Sequence, residues 1–286
     1  MNKNQVLHNH LTPYKKVKDH FLSGEEFDVL YNEEFEMLVT SPVPENLDSY
    51  YDSDAYISHS NQKRGIFEKT YGFVKSIALQ RKLKLINSFD LPGKSLLDIG
   101  AATGDFLATC KQGGWDVKGI EPNQKAKSIA FQQGIELLEN SNGLNNQSFD
   151  VITLWHVLEH IENLSEFISQ LNDLLKDNGR IVIAVPNYKS FDAEYYKEYW
   201  AAYDVPRHLW HFSKESIVKL FSKENIVVDQ ILPMKFDAFY VSLLSEKYKS
   251  GKMNPFKAFF TGLKSNRKAK RTGEYSSLIY VLKKAK

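Results

Sequence analysis

Leu96-Leu97-Asp98-Ile99-Gly100-Ala101-Ala102-Thr103-Gly104-Asp105-Phe106-Leu107 is the stretch that decides the fold. An apolar run interrupted by one acid leads into small residues, and a helical pattern opens at Asp105. That order predicts a buried strand, a tight turn and a helix start. Small residues let a ligand approach the backbone closely. The helix start adds free N–H groups and the positive end of a dipole. The spacing is D-x-G-x-x-x-G, which differs from the G-x-G-x-x-G of dinucleotide sites and argues against a nicotinamide dehydrogenase. Asp98 closes the strand, where a carboxylate would repel a pyrophosphate and suit an ammonium or sulfonium group. A second acid, Glu121 in Gly119-Ile120-Glu121-Pro122-Asn123, ends the next apolar run 23 residues later. A carboxylate there accepts hydrogen bonds from the vicinal hydroxyls of a ribose. Together the two motifs call for an adenosine-type ligand with a cationic tail.

Outward from this stretch, short apolar runs alternate with helical patterns. Strands are expected at 95–99, 116–120, 136–138, 149–154, 180–185 and 226–232, and helices at 105–112, 123–133, 164–176 and 213–222. Continuous apolar strands separated by helices imply an α/β fold whose parallel sheet is covered on both faces. Such sheets bind ligands at the carboxyl ends of their strands. Residues 66–92 read as a further helix, 236–274 as an inserted helical cap and 277–283 as a last strand. Ser213 is expected to cap its helix with Ser216 as a poor capping-box partner. Residues 1–65 are polar and Tyr-rich, with two short strands expected within 27–39. The division expected is thus an N-terminal extension, 1–65, and a main domain, 66–286, with its core in 93–232 and 277–283.

Composition sets the outer bounds. The chain has 286 residues and a formal net charge of +2, and its single cysteine, Cys110, excludes a disulfide framework or a Cys-based zinc ribbon. No apolar run approaches the ~18 residues of a membrane helix. The N-terminus lacks a signal-peptide core, so a cytoplasmic protein with no membrane span is expected. The near-neutral total hides an asymmetry: residues 247–286 carry twelve Lys or Arg and one acid, a net of +11. Such a segment is a solvated face or the footprint of a polyanionic partner.

Asp98–Leu107, Glu121, and the Phe149-Asp150-Val151-Ile152 strand followed by Leu158-Glu159-His160 resemble a class I S-adenosylmethionine-dependent methyltransferase. The resemblance implies a Rossmann-like, seven-stranded, mostly parallel sheet with helices on both faces and an antiparallel last strand. It implies S-adenosyl-L-methionine as cofactor and S-adenosyl-L-homocysteine as product. Asp98, Gly100, Ala101, Gly104, Asp105 and Phe106 would surround the methionine moiety. Glu121, Pro122 and Asn123 would hold the ribose, 139–142 would lie by the adenine, and Trp155 and His156 would close over the cofactor. Many members carry Gly where this chain has Ala102; alanine is expected to fit there with ordinary backbone angles. Residues 1–65 are similar to the start of a bacterial methyltransferase group that begins with a Cys-rich zinc ribbon, here without its cysteines. In that likeness the Tyr56–His59 stretch folds over the cofactor pocket or forms an exposed loop.

Methyl transfer from a sulfonium needs alignment of donor and acceptor, and an oxygen or carbon acceptor also needs a base or metal. The residues for this are His156, His160 and His208 as catalytic candidates, with Tyr203, Arg207, His208 and His211 as substrate-binding candidates. The Tyr- and Trp-dense segment 191–212 is expected to line a small-molecule pocket. Two related groups, the ubiquinone-biosynthesis O-methyltransferases and the small-RNA 3′-end 2′-O-methyltransferases, hold magnesium with E-x-x-E-H. This chain has His156 in place of the first Glu. No metal is expected, and the alternative is a set of His156, Glu159, His160 and His208 suited to zinc, manganese or iron. The reading is a methyltransferase acting on a small-molecule or carrier-bound acceptor, an anionic group on which would suit the basic segment. The rivals are an enzyme of RNA or another polymer and a non-catalytic S-adenosylmethionine-binding module.

Overall fold

The computed structural model describes residues 3–51, 66–144 and 147–285. The Tyr56–His59 stretch lies outside the described residues. The chain opens with β1 (Leu11–Lys18), β2 (Glu26–Asn32) and β3 (Met37–Ser41). Next come α1 (Ile66–Asn87), β4 (Ser95–Ile99), α2 (Asp105–Gln112), β5 (Asp116–Ile120), α3 (Gln124–Gln132) and β6 (Phe149–Trp155). Then follow α4 (Leu164–Leu174), β7 (Leu175–Pro186), α5 (Phe191–Tyr196), β8 (Trp210–His211) and α6 (Lys214–Ser222). The chain ends with β9 (Ile226–Pro233), α7 (Asp237–Ser250), α8 (Pro255–Thr272) and β10 (Ser277–Lys284). Two compact units result: one of residues 66–155 and 171–182, the other of residues 3–51, 156–170 and 183–285.

The main sheet has the order β5-β4-β6-β7-β10-β9. β4 pairs in parallel with β5 and β6, so Asp98 stands opposite Gly119 on one side and Thr153 on the other. β10 and β9 pair antiparallel. The sheet has six strands where seven were expected. The segment at 136–138 makes one bridge, Ile120 to Leu138, with Leu138 N–H donating to Gly119 O and Glu121 N–H to Leu138 O. The six residues between the left-handed Gly134 and the turn Ser141–Leu144 make this single bridge and no ladder. Helix α4 stops at Leu174, short of the expected Lys176, because Leu175 already begins β7. Ser213 and Ser216 close a full capping box at α6, so the short Ser216 hydroxyl serves where Glu or Gln is usual.

The other sheet is antiparallel, in the order β1-β2-β3-β8. Strands β2 and β3 are the two expected around Asn32-Glu33. Asn32 shapes their turn by accepting from Phe35 N–H at 2.9 Å and donating to Leu7 O at 3.0 Å. β1 has no apolar alternation to announce it and lies at the sheet edge, mostly exposed. Val17, Phe27, Val29 and Leu38 pack into one buried cluster with Tyr196, Trp200, Tyr203 and Val205. Tyr196, Trp200 and Tyr203 of the aromatic-dense segment are therefore core, while Tyr195 stays exposed. Burial of rings of this size is a larger gain than an open wall would give.

One ion-pair network ties this unit together. The Arg207 guanidinium is 1% exposed. It grips Asp204 with two bonds, at 2.7 and 3.1 Å, and donates to Asp19 at 2.9 Å and to Tyr50 O at 3.3 Å. Asp19 also accepts from the N–H groups of Phe21, Leu22 and Ser23. Burial alone would raise the Asp19 carboxyl, but these partners hold it below its ordinary value. Removing one member of a buried network leaves charge uncompensated. Arg207→Ala is expected to lower unfolding stability by about 3–5 kcal/mol, read from urea denaturation. Arg207→Lys is expected to recover little of it, because an ammonium cannot make the two-pronged bond.

Candidate functional site

The turn after β4 carries three left-handed residues in alternation: Gly100 (φ 70°), Ala102 (φ 47°) and Gly104 (φ 75°). Ala102 thus does not keep the ordinary angles expected of it, at a strain of about 1–2 kcal/mol. Its N–H donates to Glu121 Oε2 at 2.9 Å, and Glu121 Oε1 accepts from Asn123 N–H at 2.9 Å. The buried Glu121 carboxylate therefore pins both strand-end turns. Each of its oxygens retains a lone pair for a hydroxyl. Gly100 and Ala101 N–H both donate to Ile120 O. A side chain at Gly104 would press on Ala130 Cβ at 3.0 Å, so the turn is also close to α3. Asn123 caps α3 by accepting from Ala126 N–H at 3.0 Å, directly after Pro122.

Asp98 is fully buried and accepts from the Thr153 hydroxyl at 2.5 Å. Burial lifts its carboxyl to about 7, against the pull of that bond and of Lys82. Asp105 is held by Lys75 Nζ at 2.8 Å and by the Thr103 hydroxyl. Phe106 meets Trp155 edge-on at 5.6 Å, and Lys82 Nζ stands 4.1 Å from the Trp155 ring centre. The Trp155 indole N–H is buried and has no hydrogen-bond partner among the described residues. In the 139–142 segment, Asn140 shapes the turn by accepting from Asn142 N–H at 3.0 Å. Lys82 and Thr153 were missed by sequence reasoning. Only the β4–β6 register and the fold of α1 reveal them.

The histidines fall in the other unit. His156 follows β6 with φ 59°, and Leu158–His160 is a short 3-10 turn rather than a helix presenting 156, 159 and 160 together. His156 Nδ1 is 3.3 Å from Glu159 Oε1 and its Nε2 is 3.1 Å from Asp237 Oδ2. Burial would lower this imidazole, but Asp237 and Glu159 outweigh it and hold it at about 10. His156 is thus a cation bridging two carboxylates at neutral pH, with no lone pair for a proton. Asp237, on α7, carried no signal in the sequence. Glu159 is driven down to about 2, its burial overcome chiefly by His156.

His160 and His208 differ from it. His160 Nδ1 donates to Arg207 O at 3.0 Å, with the Tyr51 hydroxyl 3.0 Å away, and His208 Nδ1 donates to Ala202 O at 2.8 Å. The His160 bond leaves the Nε2 of that ring available as an acceptor, while His208 Nε2 stands 4.0 Å from Asp204 Oδ2. Burial and His208 lower His160 to about 4, so it is neutral at pH 7. One ligand atom each from Glu159, His160 and His208 lies within 4.8 Å of the others, while His156 is turned to Asp237. Glu159 Oε2 is buried with no hydrogen-bond partner among the described residues. Of the substrate-binding candidates, Tyr203 is core, its ring 5.1 Å from Trp200. Arg207 is enclosed by its carboxylates. His211 meets the Thr40 hydroxyl at 3.0 Å, and burial lowers it to about 3.

Comparison with known proteins adds the family. A methyltransferase domain model matches residues 74–231, more than half of the chain. The ubiquinone biosynthesis O-methyltransferase of Pasteurella multocida is 32% identical over 116 residues, 34% of this chain and 48% of the relative. The demethylmenaquinone methyltransferase of Tropheryma whipplei is 30% identical over 123 residues, 40% of this chain and 51% of the relative. The chain thus spans about half the length of these curated relatives. The crystal structure of magnesium protoporphyrin IX methyltransferase from Synechocystis PCC 6803 with bound SAH superposes with a TM-score of 0.55. It is 14% identical and covers 84% of this chain and 98% of that chain, a likeness of fold alone. With more than half its length matched by the domain model, on a fold whose two strand-end acids flank a small-residue turn, the chain belongs to the class I S-adenosylmethionine-dependent methyltransferases.

Proposed function

We propose that the chain transfers a methyl group from S-adenosylmethionine to an oxygen or carbon of a small-molecule acceptor. The observation that carries this is the pair of strand-end acids with different partners: two backbone N–H groups on Glu121, a single hydroxyl on Asp98. Glu121 is anchored by the Ala102 and Asn123 N–H groups, with lone pairs left for the ribose. Asp98 is a buried carboxyl lacking the cation that would keep it ionised, and the methionine ammonium or sulfonium fits that need. Trp155, directly after the Leu154 that pairs with Ile99, offers an unpartnered donor. When bound, the cofactor supplies a methyl group already activated on sulfur, which leaves this chain to align and to exclude water. His160, neutral and with its Nδ1 hydrogen fixed on a carbonyl, is the base we assign to the acceptor's proton; His208 is the alternative. His156 is assigned to holding Glu159 in place. The relatives' names, an O-methyltransferase of ubiquinone biosynthesis and a demethylmenaquinone methyltransferase, favour a quinone-type ring as acceptor.

A second reading concerns Glu159, His160 and His208. Two imidazole lone pairs and an orphaned carboxylate oxygen form a donor set suited to zinc, manganese or iron. A divalent ion held there would lower the pKa of an acceptor hydroxyl.

Asp98 sets the pH dependence of binding. Its folded carboxyl is raised above the ordinary value, so its contribution to stability is present at low pH and lost as pH rises through about 7. Binding of a cationic ligand runs the other way. S-adenosylmethionine affinity, read by calorimetry, is expected to rise as pH rises through about 7 and then level off, by up to about tenfold per unit below it. Asp98→Asn should flatten that profile and weaken binding, and a wild-type profile already flat across this range would refute the assignment. Glu121→Gln is expected to cost about 1.5–3 kcal/mol of cofactor affinity, the scale of hydrogen bonds to a charged group. Tight NAD binding without S-adenosylmethionine binding would overturn the whole reading, as would transfer of labelled methyl to RNA and never to catechol or quinone-ring acceptors. For the second reading, dialysis against zinc or manganese should leave about one ion per chain in the wild type and none in Glu159→Gln/His208→Ala. Activity that survives chelation would leave the imidazole to act alone.

A further inference from the structure

Helix α8 is built inside out for a helix that faces water. Its buried residues are small: Ala258, Thr261, Gly262, Ser265 and Ala269. They let α8 lie close against α7, where a side chain at Gly262 would meet Ala238 O at 3.0 Å. Its large apolar residues point outward. Phe256 is 81% exposed, Phe260 64%, Phe259 53% and Leu263 48%. At 100° per residue these four share one arc of about 100° over the first two turns and more. Phe259 stacks on Phe239 of α7 at 5.5 Å and meets Phe260 at 5.7 Å, so the rings form one patch.

The remaining turns of the same helix are basic. Lys264, Arg267, Lys268, Lys270 and Arg271 follow the patch, and α8 carries no Asp or Glu. Lys257 alone on this helix has a described carboxylate partner, Glu246 at 3.1 Å. A groove of about 540 Å³ joins the two chemistries, lined by Phe260, Leu263, Lys264, Arg267, Lys268 and Arg271. Apolar rings beside unneutralised cations match an interface that is greasy below and anionic above. No helix of the described residues is long and apolar enough to cross a membrane, so the match is to a surface.

We propose that α8 docks this protein on an anionic lipid bilayer, with Phe256, Phe259, Phe260 and Leu263 among the acyl chains and the Lys/Arg turns on the headgroups. A polyanion such as RNA would engage the cations but leave the phenylalanine and leucine side chains in water. Lys264 and Lys268 stand over the Phe191 ring, which leaves their charge uncompensated by any described carboxylate, and a second copy of the chain would bring two such sets of cations together. The lipid surface alone answers both features.

Flotation of the full chain with vesicles tests this. The protein is expected to float with phosphatidylcholine vesicles containing phosphatidylglycerol and to stay below with pure phosphatidylcholine. Each basic residue changed to alanine should weaken partitioning about fivefold. Phe256→Ser/Phe260→Ser should release the protein from the vesicles while its circular dichroism and S-adenosylmethionine binding stay as in the wild type, since both positions are exposed. Failure to float with either vesicle overturns the proposal, as does unchanged flotation of the serine variant. So does tight retention by single-stranded RNA with no vesicle binding. A dimer on gel filtration that the serine variant converts to a monomer, with no flotation, would assign the patch to a second copy instead.

Discussion

A carboxyl group buried at the end of β4 is the constraint around which the parallel-strand unit is arranged. Burying an unpaired charge is costly, and the chain meets that cost only in part. Thr153, one strand over, gives Asp98 a single hydroxyl, and Lys82 acts on it without neutralising it. Glu121, at the end of the neighbouring strand, has the other solution: two backbone N–H groups each hold one of its oxygens. Those same bonds hold Ala102 in the left-handed region, where the chain turns tightly enough to bring the backbone of both strand ends together. One acid is therefore a finished structural element with spare lone pairs, and the other is unfinished. A ligand carrying hydroxyls at one end and a positive charge at the other would complete both.

The unit that carries the histidines treats charge in the opposite way. Arg207 is saturated by Asp19 and Asp204, and His156 by Glu159 and Asp237. Asp192 accepts from Trp200 Nε1, Ser265 and Ser276. Each of these groups is fixed by its partners, and none has a free valence for chemistry. What remains near them is a small set, His160 and His208, each with its Nδ1 hydrogen on a backbone carbonyl, and the unpartnered Glu159 Oε2. The Tyr and Trp rings of 196–203 strengthen this contrast, since they are the core against which the N-terminal sheet packs. Chemistry in this unit is left to few atoms, and all of them are lone pairs.

Much of this was legible wherever the signal was local. The bounds of β4, α2 and β5 follow from apolar runs and small-residue turns within a few positions of one another, as does the placing of Asp98 and Glu121 at strand ends. What escaped depends on partners far along the chain. β1 is polar and reads as a loop until β2 pairs with it, and β8 is two residues that are a strand only because Leu38 and Val39 lie beside them. Asp237 turns His156 from a base into a fixed cation, and no spacing rule links those two positions. The aromatic segment misled for a related reason. Ring density is the same signature for a pocket wall and for a core, and only the sheet laid over it tells them apart.

Charge was legible as a sum, and its direction was not. A net of +11 in 247–286 is compatible with a solvated face, a polymer or a lipid surface. The fold separates these by showing which side of α8 is occupied. Folding gains nothing from Phe256 at 81% exposure, whereas turning such rings inward would normally stabilise a helix by about 1.5–3 kcal/mol each. The close approach of α7 forbids that turn, because Gly262 and its small neighbours leave no room for a ring. The same geometry that settles the helix on the protein thus directs its rings and its excess of cations outward together. That combination needs an apolar phase and an anionic surface in one place.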